Sequence, residues 1–168
     1  MSEKIIIRQY DCNDAQDLVN IYYHTIHNIN SKDYSEEQIN IWAPSSSLDA
    51  TGWKEKWEKI IPIVAQIGTK VVGFVEFESN GHIDCFYVHH EYQGCYIGSS
   101  LMKEIFNKAN TLKLKQVFAE VNITAKPFFG SKGFKVIKKQ NMNIRGVKLI
   151  NFVMDNDKPH EYGRYSYE

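Results

Sequence analysis

Residues 91–102, EYQGCYIGSSLM, set Gln93 and two glycines, Gly94 and Gly98, directly ahead of a helically patterned run. A loop that opens a helix presents unpaired backbone N–H groups and the positive end of the helix dipole, which together attract phosphate. Tyr96 stands between the glycines. Its side chain obstructs an anion only where its Cα lies against the ligand or where the position requires positive φ, because its N–H stays available. Just upstream, HIDCFYV reads as a strand, and alternation puts His82, Asp84, Phe86 and Val88 on one face. Histidine and carboxylate side chains can move protons at a reacting centre, so His82 and Asp84 are the titratable candidates on that face, with Glu76 and Glu78 on the neighbouring strand in reserve. The same two residues also read as a strand-end ion pair.

These groups need a scaffold, and the flanking patterns supply one. KIIIRQY is a β-branched strand. Asp11 or Asn13 then offers a cap for a helix over about 14–28, whose apolar face is Ala15, Leu18, Val19, Tyr22, Ile26 and Ile29. DYSEEQINIW predicts a second short helix, capped by Ser35 and stopped at Pro44. SSSLDATG reads as a loop, and WKEKWEKII as about two helical turns carrying Trp53 and Trp57. IPIVAQIG, KVVGFVEFE and HIDCFYVHH are strand-like and joined by GT and SNG, which predicts an antiparallel meander. Ile97, Leu101, Met102, Ile105, Phe106 and Ala109 predict a helix over 97–110. LKQVFAEV is a strand, and TAKPFFGSKG a short helix with Thr124 as cap, Pro127 in its first turn and Gly133 at its end. FKVIKKQ and VKLINFVMD close as a hairpin. The order predicts the α+β class, a mixed central sheet of about seven strands with about four to five helices. One domain is expected over 1–154, with a polar tail over 155–168.

At 168 residues and 43% hydrophobic content, one domain with a buried core is the expectation. Twenty basic and twenty acidic residues give zero formal charge, and no basic stripe appears, which argues against nucleic acid and anionic membranes as partners. No segment approaches the roughly 20 apolar residues of a membrane span, so the chain reads as soluble and cytoplasmic. Cys12, Cys85 and Cys95 are odd in number and share no metal-binding spacing. His24 and His27 lack an evident third ligand, so no metal is expected.

YVHHEYQGCYIGSSLMKEIF resembles the acetyl-CoA signature of the GCN5-related N-acetyltransferases (GNAT): Gln93 and Gly98 match, and Tyr96 replaces the first glycine. NITAKPFFGSKGF is similar to the family's second region through Asn122, Ala125, Phe128 and Gly133–Phe134, with Phe129 where many members carry tyrosine. The likeness runs from about Ile5 to Met154. HIDCFYVHHEYQG, DYSEEQINIWAP and RGVKLINFVM also resemble a bacterial subgroup of the YafP type. The resemblance implies a GNAT-like fold that moves an acetyl group from acetyl-CoA directly to an amine, with no acyl-enzyme, no metal, and Cys85 and Cys95 as bystanders. It implies that the backbone of Phe86, Tyr87 and Val88 pairs with the pantetheine arm. The N–H groups of Gly94, Cys95, Tyr96, Ile97, Gly98 and Ser99 would hold the pyrophosphate, with Gln93, Asn122, Phe128 and Phe129 completing the cofactor side. Direct transfer needs the attacking amine uncharged, and some members carry a catalytic glutamate near position 82, so if that strand face meets the acceptor, His82 and Asp84 are the base candidates. Phe129 cannot donate a proton to the departing thiolate.

The resemblance further implies that the acceptor enters opposite the donor, under HTIHNINSKDYSEEQINIWAP. There His27, Tyr34 and Trp42 are the expected contacts to a small-molecule or peptide amine. A homodimer is compatible with this reading. The competing reading is a catalytically degenerate acyl-CoA-binding or regulatory domain, for which Tyr96 and Phe129 are the best support.

Overall fold

A computed structural model describes residues 3–162. In chain order the elements are β1 (Ile5–Gln9), α1 (Ala15–Asn28), α2 (Glu36–Trp42), α3 (Thr51–Lys59), β2 (Ile63–Ile67), β3 (Lys70–Phe77) and β4 (His82–Val88). There follow α4 (Ile97–Thr111), β5 (Val117–Asn122), α5 (Lys126–Ser131), β6 (Lys135–Ile144), β7 (Val147–Asn156) and the single turn α6 (Pro159–Tyr162). The strands form one sheet in the order β1-β2-β3-β4-β5-β7-β6. All neighbours are antiparallel except β4 and β5, whose parallel pairing uses α4 as its crossover.

Local chemistry accounts for the helix starts. Asp11 accepts the Asn13 N–H and Asp14 accepts the Asp11 N–H, a reciprocal cap on the 3-10 turn Cys12–Asp14 that leads into α1, and Arg8 braces it at 2.7 Å from Asp14. Ser35 and Gln38 make the same reciprocal cap on α2. Helix α4 buries Ile97, Leu101, Met102 and Ile105 on one face of the sheet against Val75, Val117 and Met154. On the other face α1 and α3 bury Leu18, Val19 and Trp57 against Val64 and Phe74. Gly73 lets α4 approach the sheet: a Cβ there would meet Ile97 Cγ2 at 3.1 Å and Leu101 Cδ1 at 3.2 Å.

Three expectations need correction. Thr124 does not cap α5; its hydroxyl bonds Asp33 instead, and the Asn122 side chain accepts the Ala125 N–H at 2.8 Å. SSSL is not an open loop but a 3-10 turn over Ser45–Leu48. The boundary at 154 falls inside β7, which runs to a buried Asn156 tied to the Lys132 carbonyl, and α6 packs on α4 beyond it. The rest of the expected tail, residues 163–168, lies outside the described residues.

Candidate active site

Strands β4 and β5 pair only at His82–Phe118 and Ile83–Ala119, and then diverge. The split opens beside a bulge. Val75 faces Phe86 and Phe77 faces Ile83, so the single residue Glu76 lies opposite both Asp84 and Cys85. Strict alternation therefore fails in β4. Ile83 and Phe86 both join the α4-side core, whereas Cys85 packs on the α1/α3 side, where Asp84 meets Lys56. His82 points that way too, stacked on Phe118 at 5.2 Å. The expectation that His82, Asp84, Phe86 and Val88 share one face is thus overturned by one inserted residue.

On the α4 side of the split lies a cavity of about 370 Å³, walled by Phe86, Tyr87, Val88, Asn122, Phe128 and the loop into α4. The first turn of α4 has N–H groups with no intrahelical acceptor. Gly94 has φ +75°. Tyr96 keeps the left-handed backbone, φ 64° and ψ 11°, at a cost of roughly 1–2 kcal/mol for a residue with a Cβ. Gln93 fastens this loop by donating to the Val88 carbonyl at 2.9 Å, and Thr25 donates to the same oxygen. That carbonyl is therefore taken. Because His89 N–H turns toward β3, alternation leaves the amides of Phe86 and Val88 facing the gap. Gly98 lines this cavity, and a Cβ there would lie 3.2 Å from the Phe128 ring, so its bareness also serves that packing. Ile97 and Ser99 border this cavity; Cys95 is exposed and does not.

On the other side lies a larger cavity of about 620 Å³. It shares Phe86, Tyr87, Asn122 and Ala125 with the first, so the two meet across the split. Its walls are the rings of Tyr22, Trp42 and Trp53 together with the β6–β7 hairpin. Tyr22 lies edge-on to Tyr87 at 5.1 Å and to Trp53 at 4.9 Å. Tyr34 lines it as well, but its hydroxyl is spent on structure, donating to Ile150 O and accepting from Ile123 N. His27 borders neither cavity: it stacks on Tyr23 at 4.1 Å and bonds the Ala43 carbonyl, which fixes the end of α2. Phe129 is buried against Phe86 and Phe134 and faces this larger cavity, not the smaller one expected from the sequence. Asn122 both ends β5 and bridges to Asn30.

Three ionic groups, Glu76, Lys56 and Asp84, converge at the bulge. Glu76 is fully buried, bonded by the Trp57 indole N–H and by Lys56 at 2.7 Å; burial pushes its carboxyl above the usual range despite those partners. Lys56 also reaches Asp84 at 2.9 Å; burial alone would raise the Asp84 carboxyl, but the Lys56 hydrogen bond and charge, with His82 and Glu76, together hold it below its usual range. Glu76, Asp84 and Cys85 lie close enough to surround a cation, and the Lys56 ammonium already supplies that charge. Burial pushes the Cys85 thiol well up, so no thiolate forms there. His82 sits between Glu78 at 3.0 Å and Glu120 at 2.6 Å. Burial alone would lower its pKa, but the two carboxylates prevail and hold it above the ordinary value. Lys56, Glu120, Tyr22 and Trp53 are the wall residues that sequence reasoning did not assign to the site. Glu120 was visible only as the polar member of an alternating strand.

Residues 30–156 match the family described as "Acetyltransferase (GNAT) domain". The chain is 35% identical over 150 residues to the uncharacterised N-acetyltransferase YafP of Escherichia coli strain K12, covering 89% of this chain and 94% of that protein. A GCN5-related N-acetyltransferase structure from Rhodopseudomonas palustris superposes with a TM-score of 0.86 at 25% identity, over 94% of this chain and 98% of that one. YncA from Salmonella typhimurium, solved with acetyl-CoA, shares the fold at a TM-score of 0.69 and 19% identity, over 91% and 93% of the two chains.

Proposed function

The chain belongs to the GNAT acetyltransferases and is an N-acetyltransferase, and from that premise we propose how its two cavities divide the reaction. The smaller one takes acetyl-CoA, and the larger takes a compact amine of a small molecule or peptide. The observation that carries this reading is their meeting at Phe86, Tyr87, Asn122 and Ala125, where β4 and β5 part. A thioester there lies within reach of an amine from the opposite side, so acetyl transfer needs only proximity and one proton transfer.

The chain fits this donor. The first turn of α4 with the loop before it offers N–H groups to the pyrophosphate. The Phe86 N–H and C=O and the Val88 N–H pair with the pantetheine arm, because the Val88 carbonyl already accepts from Thr25 and Gln93. His82 is the base, with Glu120 and Glu78 fixing its ring across the mouth of the split. Asp84, paired with Lys56, shapes the local field and is the weaker candidate base, because Lys56 holds its carboxyl below the usual range. Phe129 offers no proton to the departing thiolate, but a thiol's ordinary pKa of roughly 8.5 makes that departure easy near neutral pH. The three free thiols and this donor favour the cytoplasm.

CoA thiol release, measured across a broad amine panel with a no-amine control, tests the reading. Release that depends on one class of amine supports transfer. Release equal with and without amines, or none with any, defeats it.

A further inference from the structure

We propose that the Tyr96 ring is a platform for the adenine base of the bound donor, an inference that rests on acetyl-CoA being that donor. Tyr96 occupies a left-handed backbone position, φ 64°, that glycine takes without strain. Its ring is 79% exposed, more than any other exposed large hydrophobic residue described, and it has no aromatic, hydrogen-bonding or ionic partner among the described residues. A strained backbone and an uncovered ring both oppose this residue in the free protein, so its benefit must come from something that covers the ring.

The order of groups along the smaller cavity says what does so. The acetyl end lies at Phe86 and Asn122, the wall shared with the acceptor cavity. The α4 N-terminus, which receives the pyrophosphate, comes next, and the pyrophosphate joins the pantetheine arm to the nucleoside. Tyr96 is the residue just before α4, on the cavity wall yet turned to solvent, and so it stands at the nucleoside end. A flat purine presents a face to such a ring, and base–aromatic stacking is sequence-tolerant and substantial. A ring serving the pantetheine arm would be turned inward beside Phe128, which is the ring that the cavity holds there.

Titration calorimetry with acetyl-CoA and with S-acetyl-4′-phosphopantetheine, which lacks the nucleoside, tests this in the wild type and in Tyr96→Phe, Tyr96→Ala and Tyr96→Gly. Tyr96→Ala and Tyr96→Gly are expected to weaken acetyl-CoA on the order of ten-fold, and Tyr96→Phe to bind as the wild type. All four proteins should bind the truncated donor alike. Thermal melting of the free protein should rise for Tyr96→Gly, because the left-handed position is relieved. Equal losses for both donors, unchanged acetyl-CoA affinity in Tyr96→Gly, or a lower melting temperature for Tyr96→Gly each overturn the proposal. A wild-type protein that binds neither donor overturns the donor reading itself, and this inference with it.

Discussion

His82 Nε2 lies 2.6 Å from Glu120 Oε2, a contact that ties β4 to β5 at the point where the two strands begin to part. The imidazole and the mouth of the split are thereby one structure. Glu78 holds the other ring nitrogen, so the imidazole cannot turn without losing a carboxylate.

The first prediction follows from charge. The folded pKa of His82 is raised above its ordinary value of 6.5. Its stabilising contribution is therefore complete below that value and is lost as pH rises through the folded pKa. A base works unprotonated, so the acidic limb of kcat/KM should lie above the ordinary histidine value. Glu120→Gln should lower the His82 pKa in an NMR titration and move that limb to lower pH. A limb that stays put while the NMR pKa falls assigns His82 to structure alone. His82→Gln should reduce kcat by about 10²- to 10⁴-fold, with little change in acetyl-CoA affinity.

Lys56 is the counter-ion of two carboxylates, one of them fully buried. Lys56→Met should cost about 3–5 kcal/mol of stability, the range seen when a buried charge loses its partner. The deficit should shrink as pH falls, because Glu76, whose folded pKa is raised, neutralises readily there. Melting curves over a pH series measure both effects. Asp84→Asn, by contrast, should leave turnover within a few-fold of wild type.

Gly98 faces a ring. Gly98→Ala places a Cβ 3.2 Å from Phe128, so the free protein should lose about 1–3 kcal/mol through overpacking. Phe128→Leu in the same chain should recover part of it. Loss of donor affinity with no loss of stability in the free protein would instead assign Gly98 to ligand approach.

Phe129→Tyr adds a hydroxyl to a buried ring on the wall of the larger cavity. Turnover should be unchanged or rise slightly, because a thiol's ordinary pKa of roughly 8.5 lets the thiolate depart near neutral pH without this acid. A large fall in turnover with a lower melting temperature would show that the hydroxyl is stranded among Phe86 and Phe134.

Much of the scaffold is legible in local chemistry. Ser35 and Gln38 announce α2 because a reciprocal cap is a short-range signal, and the spacing of Ile97, Leu101 and Ile105 announces α4 in the same way. The loop into α4 was also readable, but the reason for Gly98 was not, since the Phe128 ring comes from a segment thirty residues on. His82 and Asp84 line the larger cavity, but from a face other than the one shared with Phe86 and Val88 that alternation predicts. Period-two alternation has no means of anticipating a bulge set by the register against β3. Lys56 and Glu120 were hidden for a related reason. An exposed-looking lysine on α3 becomes the half-buried counter-ion of Glu76 only once Trp57 docks that helix on the sheet, and Glu120 borders the site only because β5 is the strand beside β4. His27 misled because a polar ring in a lid segment reads the same whether it faces a cavity or fastens the chain.

The bulge at Asp84 and Cys85 gives β4 a modular character. Residues 82–85 border the larger cavity alone and residues 86–88 reach the smaller one, and the two stretches do not share an alternation frame. Substitutions at residues 82–85 can therefore remodel the larger cavity while the backbone from Phe86 to Val88 keeps its own register. Removing one residue from the bulge would merge the frames, carry His82 and Ile83 each to the opposite face, and couple two histories that this fold allows to proceed separately.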